Sequence, residues 1–249
     1  MPSEYLYGRR AVVEALRAGR RTFRRLIVAQ NADKNETLVS AVALAKERGL
    51  WVEAVRRDDL DGRTRSANHQ GIALEAGPYP YVEVDDILAL AAQRAEPPFV
   101  LLLDLLQDVQ NVGTLLRTAE AVGVHGVVLQ ERRSAEVTPA VVNASSGAVE
   151  HLRVAQVTNL VKAMEQLKAA DVWLAGLDLG EDAIRFDQAN LRGSLGLVVG
   201  SEGSGLRRLV RETCDFIICL PMRGQVASLN AATAGSVALY KAWEARGLP

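Results

Sequence analysis

The chain has 249 residues, 49 % of them apolar, and 29 Lys+Arg against 30 Asp+Glu give a net charge of −1. That length suits one large or two small domains with an ample core, and no apolar run reaches the ~20 residues that a membrane-spanning helix needs. Met1-Pro2-Ser3-Glu4 lacks the basic start and apolar centre of a signal peptide, and Cys214 and Cys219 do not make a disulfide framework, so a reducing cytoplasm is the expected location.

Tyr7-Gly8 precedes a helix whose apolar part is Val12, Val13, Ala15 and Leu16, with Gly19 as its stop. Arg20, Arg21, Arg24 and Arg25 crowd the turn into a strand over 26–29. Asn35 or Thr37 starts a helix with Leu38, Val42 and Ala45 at helical spacing and Gly49 at its end. A strand over 51–55, a short turn or helix over 58–61 and a strand over 70–76 complete a small α/β unit.

Gly77-Pro78-Tyr79-Pro80 and Pro97-Pro98 interrupt regular structure, with a helical pattern over 84–94 between them. This divides the chain into a domain over 1–76, a partly helical linker over 77–97 and a domain over 98–249. Residues 1–76 carry a net charge of +4 and residues 77–249 a net −5. A basic module on an acidic body fits an RNA anchor on an enzyme, and ordinary surface variation fits it too. Arg9, Arg10, Arg20, Arg21, Arg24 and Arg25 are the candidate phosphate contacts, because the guanidinium fork matches phosphate oxygens. Solvated surface is the alternative for each. The loop over 63–70, with Asn68 and His69, is a further RNA candidate.

Beyond the linker, apolar runs alternate with helical patterns. Strands are expected over 99–103, 127–129, 151–154, 172–177, 195–199 and 216–220, which predicts a parallel sheet. Helices are expected after Asn111, after the Thr138-Pro139 start, from Thr158, over 206–212 and from Ser228 to Arg246. The scattered His69, His125 and His151 show no metal-ligand spacing, so no metal is expected.

Three small-residue loops stand out, within or just after the last two strands: GSEGSG at 200–205, LPM at 220–222 and SLN at 228–230. Glycines at 200, 203 and 205 let backbone approach a ligand closely. Neither a phosphate-loop nor a dinucleotide pattern is present, and Glu202 would repel a phosphate. A structural strand-to-helix turn accounts for the glycines alone, whereas three such loops within 36 residues point to a site.

GSEGSGL, LPM and SLN resemble motifs two and three of the SpoU/TrmH family of SPOUT methyltransferases, and Gln107 to Gly123 resembles motif one. The opening YG…AVVEAL resembles the L30e-like substrate domain of the RlmB type, which methylates a guanosine of 23S ribosomal RNA. The resemblance implies a Rossmann-like parallel-sheet catalytic domain with a C-terminal deep trefoil knot, although pattern alone argues against threading. It implies S-adenosylmethionine as cofactor, RNA as substrate and a homodimer burying Val237, Leu239, Tyr240 and Trp243 of the last helix. It implies a catalytic set of Asn111, Arg117, Glu202, Ser228 and Asn230, and cofactor contacts from Gly200, Leu220, Met222, Ser228 and Leu229. Taken alone, Asn111 fits a helix N-cap and Arg117 a solvated helix face. One departure from the family pattern is Asp108-Val109 where Asp-Pro is usual.

Transfer RNA, another ribosomal nucleotide, a silent RNA-binding protein of the same fold and a nucleotide-dependent oxidoreductase are the competing readings. Removal of residues 1–76 is expected to leave cofactor binding nearly intact and to weaken RNA binding.

Overall fold

The computed structural model describes residues 3–203, 205–225 and 228–247; Ser204 of the glycine loop lies outside them. The chain begins with β1 (Glu4–Tyr7), α1 (Arg9–Ala18), β2 (Phe23–Ala29), α2 (Glu36–Glu47), β3 (Trp51–Val55), α3 (Arg57–Thr64) and β4 (Ile72–Ala76). It continues through α4 (Val84–Gln93), β5 (Phe99–Leu103), α5 (Val109–Ala121), β6 (Gly126–Gln130) and α6 (Pro139–Ala144) to a 3-10 turn (Ala148–His151). Then follow β7 (Val154–Val157), α7 (Leu160–Ala169), β8 (Trp173–Leu177), β9 (Ile184–Arg185), β10 (Leu195–Val199), α8 (Arg208–Thr213), β11 (Phe216–Cys219) and α9 (Ala231–Ala245).

These elements form two units that are not contiguous in sequence. The first comprises residues 1–80 and 137–151, the second residues 81–136 and 152–249. This differs from the linear division at 76 and 97. The helix expected in a linker is α4, whose Val84 and Ile87 join the core of the second unit. The stretch after Thr138-Pro139 folds with the N-terminal unit, where α6 packs on β1 and the 3-10 turn on α1.

The first unit is built on a sheet of order β1-β4-β2-β3. In it β2 and β3 run parallel, while β4 is antiparallel to both β1 and β2. Strand β1 escaped sequence reading because EYLY is short and partly exposed. Asn35 caps α2 by accepting from the Leu38 amide at 3.0 Å.

The second unit holds a seven-stranded sheet, order β7-β6-β5-β10-β8-β11-β9, in which every pairing is parallel. Strands β5, β6 and β10 are buried at all five positions, as expected of a sheet covered on both faces. The chain runs outward through β6 and β7, then returns to the other side of β5 with β10 between. Open parallel sheets place ligands at the carboxyl ends of strands beside such a reversal. The strand expected over 151–154 begins three residues later, and Asn159 rather than Thr158 caps α7. Among the described residues no helix is long and apolar enough to cross a membrane.

Candidate active site

At the carboxyl ends of β8, β10 and β11 lies a cavity of about 470 Å³, within the volume range of small-molecule sites. Four segments contribute to its wall: 177–179 at the end of β8, 199–203 with Gly205 after β10, 219–222 at the end of β11 and 228–234 entering α9. All five candidate cofactor contacts, Gly200, Leu220, Met222, Ser228 and Leu229, line it, as do Glu202 and Asn230. The sequence folds this way because β10 is wholly apolar and ends in residues with little side chain. A Cβ on Gly200 would lie 2.3 Å from the carbonyl carbon of Gly205, so the loop closes on itself only with glycine there.

Three polar side chains meet at the cavity mouth. Asn230 donates from Nδ2 to Glu202 Oε1 at 2.6 Å and to Asn111 Oδ1 at 3.0 Å. Asn111 donates from its own Nδ2 to the same Glu202 oxygen. Each asparagine stands near a helix start. Asn230 is the N-cap of α9, with Oδ1 accepting from the Ala232 and Thr233 amides at 2.9 and 3.1 Å. Asn111 is not a cap: Asp108 caps α5 by accepting from the Asn111 amide at 2.8 Å, which leaves the Asn111 side chain available to Glu202. Val109 in place of proline begins α5 without disturbing that cap.

Arg117 lies six residues beyond Asn111 on α5, about 240° round the helix and ~9 Å along it. It is exposed and does not line the cavity. The structure thus brings together four of the five candidate catalytic residues, with Ser228 on the cavity wall and Arg117 apart.

Two carboxylates that sequence reading passed over matter to the geometry. Asp178 follows β8 and lines the cavity; it accepts from the Leu179 amide at 2.8 Å and the Leu206 amide at 3.4 Å, tying the loop after β8 to the end of the glycine loop. Buried Asp104 follows β5 and accepts from the Arg207 backbone and Nε at 2.9 and 2.7 Å, while the Arg207 guanidinium also donates to Gln130 at 2.8 Å. Both sit one residue past an apolar run of a parallel strand, the position that would have flagged them. Nearby, the Arg211 guanidinium holds the Asp182 carboxyl below the usual range. Burial, with Asp215 adding to it, pushes the Cys214 thiol up to about 12, so it is an inert, protonated side chain. Cys219 lines the cavity. Among the described residues no group of three or more His, Cys, Asp or Glu is placed to hold a metal ion.

The arginines expected to meet RNA divide sharply. Arg21 is a correction: its side chain is fully buried, bonded to the equally buried Glu150 at 2.8 Å and to Glu4 at 2.9 Å, and cannot reach phosphate. Arg20 is held over the Tyr79 ring, 5.5 Å from its centroid, and donates to the Tyr79 hydroxyl. Arg9 is spent on the Gln70 and Asp33 carbonyls. Arg10 and Arg24 are exposed, and Arg25 is partly so. His69 is also buried, accepting from the Gly71 amide through Nδ1 and facing Asp61 through Nε2, so it organises its loop rather than contacting RNA.

Comparison with known proteins bears on the chemistry. Residues 98–240 match the model of the SpoU rRNA Methylase family, and residues 5–82 match one described as RNA 2'-O ribose methyltransferase substrate binding. A Bacillus subtilis (strain 168) protein assigned to the TrmH family of tRNA/rRNA methyltransferases, YacO, is 41 % identical over 98 % of this chain and 96 % of its own. An uncharacterized tRNA/rRNA methyltransferase of Mycolicibacterium vanbaalenii is 42 % identical over 95 % of this chain and 75 % of its own. Among solved structures, the SpoU methyltransferase AviRb of Streptomyces viridochromogenes, in complex with AdoMet, superposes with a TM-score of 0.79 at 24 % identity, covering 97 % of this chain and 90 % of AviRb. An AdoMet-bound rRNA methyltransferase of Sinorhizobium meliloti gives 0.78 at 23 %, covering 97 % and 87 %.

Proposed function

The chain belongs to the SpoU rRNA methylase family of RNA methyltransferases, and from that premise we propose that it uses S-adenosylmethionine to methylate a ribose 2′-hydroxyl, on a guanosine of 23S ribosomal RNA. The observation that carries the reading is the convergence of Asn111 and Asn230 on one oxygen of Glu202 at the mouth of the cavity. The two loops and the helix start that meet there are the segments whose sequences resemble the family's motifs.

The cavity suits the cofactor. Its wall is mostly glycine and apolar side chain, with Asp178 and Glu202 as anionic groups compatible with a cationic ligand. Backbone groups at Gly200, Leu220 and Leu229 would hold it, beside Met222 and Ser228. When bound, S-adenosylmethionine supplies an already activated methyl group on a sulfonium. What remains for the protein is alignment and removal of the hydroxyl proton.

Asn111 and Asn230 fix the Glu202 carboxylate, and the three together orient the ribose entering the mouth. Arg117 remains cationic, holds the adjacent phosphate and stabilises developing alkoxide charge. A guanidinium releases its proton only above pH ~12, which disfavours it as the base. Arg117 reaches the site in a homodimer. In support, α9 exposes Val237 and Tyr240, an apolar pair one turn apart. Leu239, expected on that face, is instead fully buried within the chain. The segment from Leu195 onward forms the deep trefoil knot, a reading supported by the return of α9 to pack on α5 after β11.

Calorimetry with S-adenosylhomocysteine and with NAD tests the cofactor. Binding of the first alone is expected, and binding of NAD alone overturns the reading. Methylation mapping in a strain lacking the gene tests the target. A missing 2′-O-methyl in transfer RNA with ribosomal RNA intact would move the assignment.

A further inference from the structure

In the N-terminal unit α3 covers only part of one sheet face, where Leu60 packs on Ile27, Ala29, Val55 and Ala73. Side chains two residues along a strand share a face, so the same face continues past α3 as Arg25, Glu53 and Glu75. Strand register lines up Tyr5, Glu75, Arg25 and Trp51 as one row across all four strands. Trp51, on the edge strand, is 71 % exposed. A tryptophan presents a large apolar ring face on which a flat partner can stack.

The row is built rather than loose. Arg25 bonds Glu75 at 2.7 Å and Glu53 at 3.0 Å, and Arg63 bonds Glu53 at 3.1 Å. Those contacts hold Arg25 and Arg63 above their ordinary pKa. Two more arginines, both exposed, neighbour Arg25 and Arg63 in sequence. A bulge between Phe23 and Arg25 turns the exposed Arg24 toward Glu75. Arg65 is exposed at the end of α3, and Arg65 and Ser66 take left-handed φ values of 52° and 58°. Non-glycine residues hold such angles only where the surroundings over-determine them. Four arginines thus stand with Glu53 and Glu75 around a row that leaves an aromatic face open at its edge.

We propose that this half-open face is where an unpaired segment of the RNA substrate docks, one base stacking on Trp51 and its flanking phosphates held by Arg24 and Arg65. The inference rests on the RNA-methyltransferase reading above, and residues 5–82 match a substrate-binding model. Stacking on an aromatic side chain requires an unstacked base, which makes single-stranded RNA the occupant rather than duplex.

The test uses the full chain with a fluorescein-labelled RNA of about 20 nucleotides and with the matching duplex, the length covering a typical single-strand site. Trp51→Ala is expected to weaken single-strand binding about tenfold or more, while Trp51→Phe stays within about threefold. Arg24→Ala and Arg65→Ala are each expected to lower the steepness of the salt dependence by about 0.7. S-adenosylhomocysteine affinity should be unchanged in all four variants. Wild-type affinity in Trp51→Ala overturns the proposal. So does a Trp51→Ala that binds RNA normally but loses a dimer by light scattering, because the face is then a contact between copies. Failure of the wild type to bind either RNA overturns the RNA reading itself and this inference with it.

Discussion

Asn230 donates to Glu202 Oε1 at 2.6 Å while its own carbonyl oxygen accepts from the first turn of α9. One side chain therefore starts a helix and holds a carboxylate at the site, and the two roles separate by substitution. Aspartate caps a helix as well as asparagine but has no amide to donate and adds a charge beside Glu202. Asn230→Asp should keep the wild-type melting temperature and lose about 10²–10³ in single-turnover methylation. Asn230→Ala should lose the cap as well, about 1 kcal/mol of stability. An active Asn230→Asp enzyme would show that the contact with Glu202 is structural only.

Arg117 separates charge from base chemistry. As a cation beside phosphate it should tolerate lysine in part, because the charge persists although the fork is lost. Arg117→Ala should lose about 10²–10³ in rate, with S-adenosylhomocysteine affinity little changed. Single-turnover methylation against pH checks this. A lysine variant as inactive as alanine, with altered pH dependence in its residual rate, would make the arginine the proton acceptor.

The buried pair of Arg21 and Glu150 joins residues 129 apart in sequence. Glu150→Ala leaves a buried guanidinium with Glu4, the Gly77 carbonyl and the Tyr79 ring face in place of its buried carboxylate, and should cost about 3 kcal/mol. Arg21→Met combined with Glu150→Leu should recover most of that. Guanidinium chloride unfolding of the three proteins measures it. The same packing revises what truncation does. Without residues 1–76, Val141, Val142 and Val149, each fully buried, lose the unit they fold with, so such a fragment is expected to be unstable rather than a working cofactor-binding domain.

Much of the catalytic unit was legible because buried parallel strands are near-continuous apolar runs. Leu195–Val199 and Phe99–Leu103 declare themselves, and the loops after such strands are where sites form. Asn111, Glu202 and Asn230 followed from the motifs. What stayed hidden depends on distant partners. The Arg21 guanidinium resembles its exposed neighbours until Glu150 is placed beside it, and nothing in SSGAVEH marks that stretch as belonging with the N-terminal sheet. Asp104 and Asp178 had only their place just past an apolar strand to mark them, and their roles depend on Arg207 and the glycine loop folding onto them.

The Cys214 thiol gives a pH dependence of defined sign. Its pKa rises from an ordinary 9.0 to about 12 on folding, so the folded state binds the proton more tightly. That contribution to stability is complete below about pH 9 and is lost progressively as the pH rises toward 12. Cys214→Ala should show a shallower alkaline decline in urea midpoint than the wild type. Alkylation at neutral pH should spare Cys214, and S-adenosylhomocysteine should protect Cys219, which lines the cavity.

The central claim is methyl transfer to a ribose hydroxyl of RNA, and its most direct test follows the methyl group itself. Purified protein is incubated with methyl-tritiated S-adenosylmethionine and 23S ribosomal RNA lacking its modifications, and the RNA is then hydrolysed in alkali. A 2′-O-methyl blocks cleavage at its own phosphodiester, so the predicted result is tritium in an alkali-resistant dinucleotide that begins with guanosine, absent with Asn230→Asp. Tritium in ordinary mononucleotides, marking a methylated base, or no transfer to RNA at all, would contradict it.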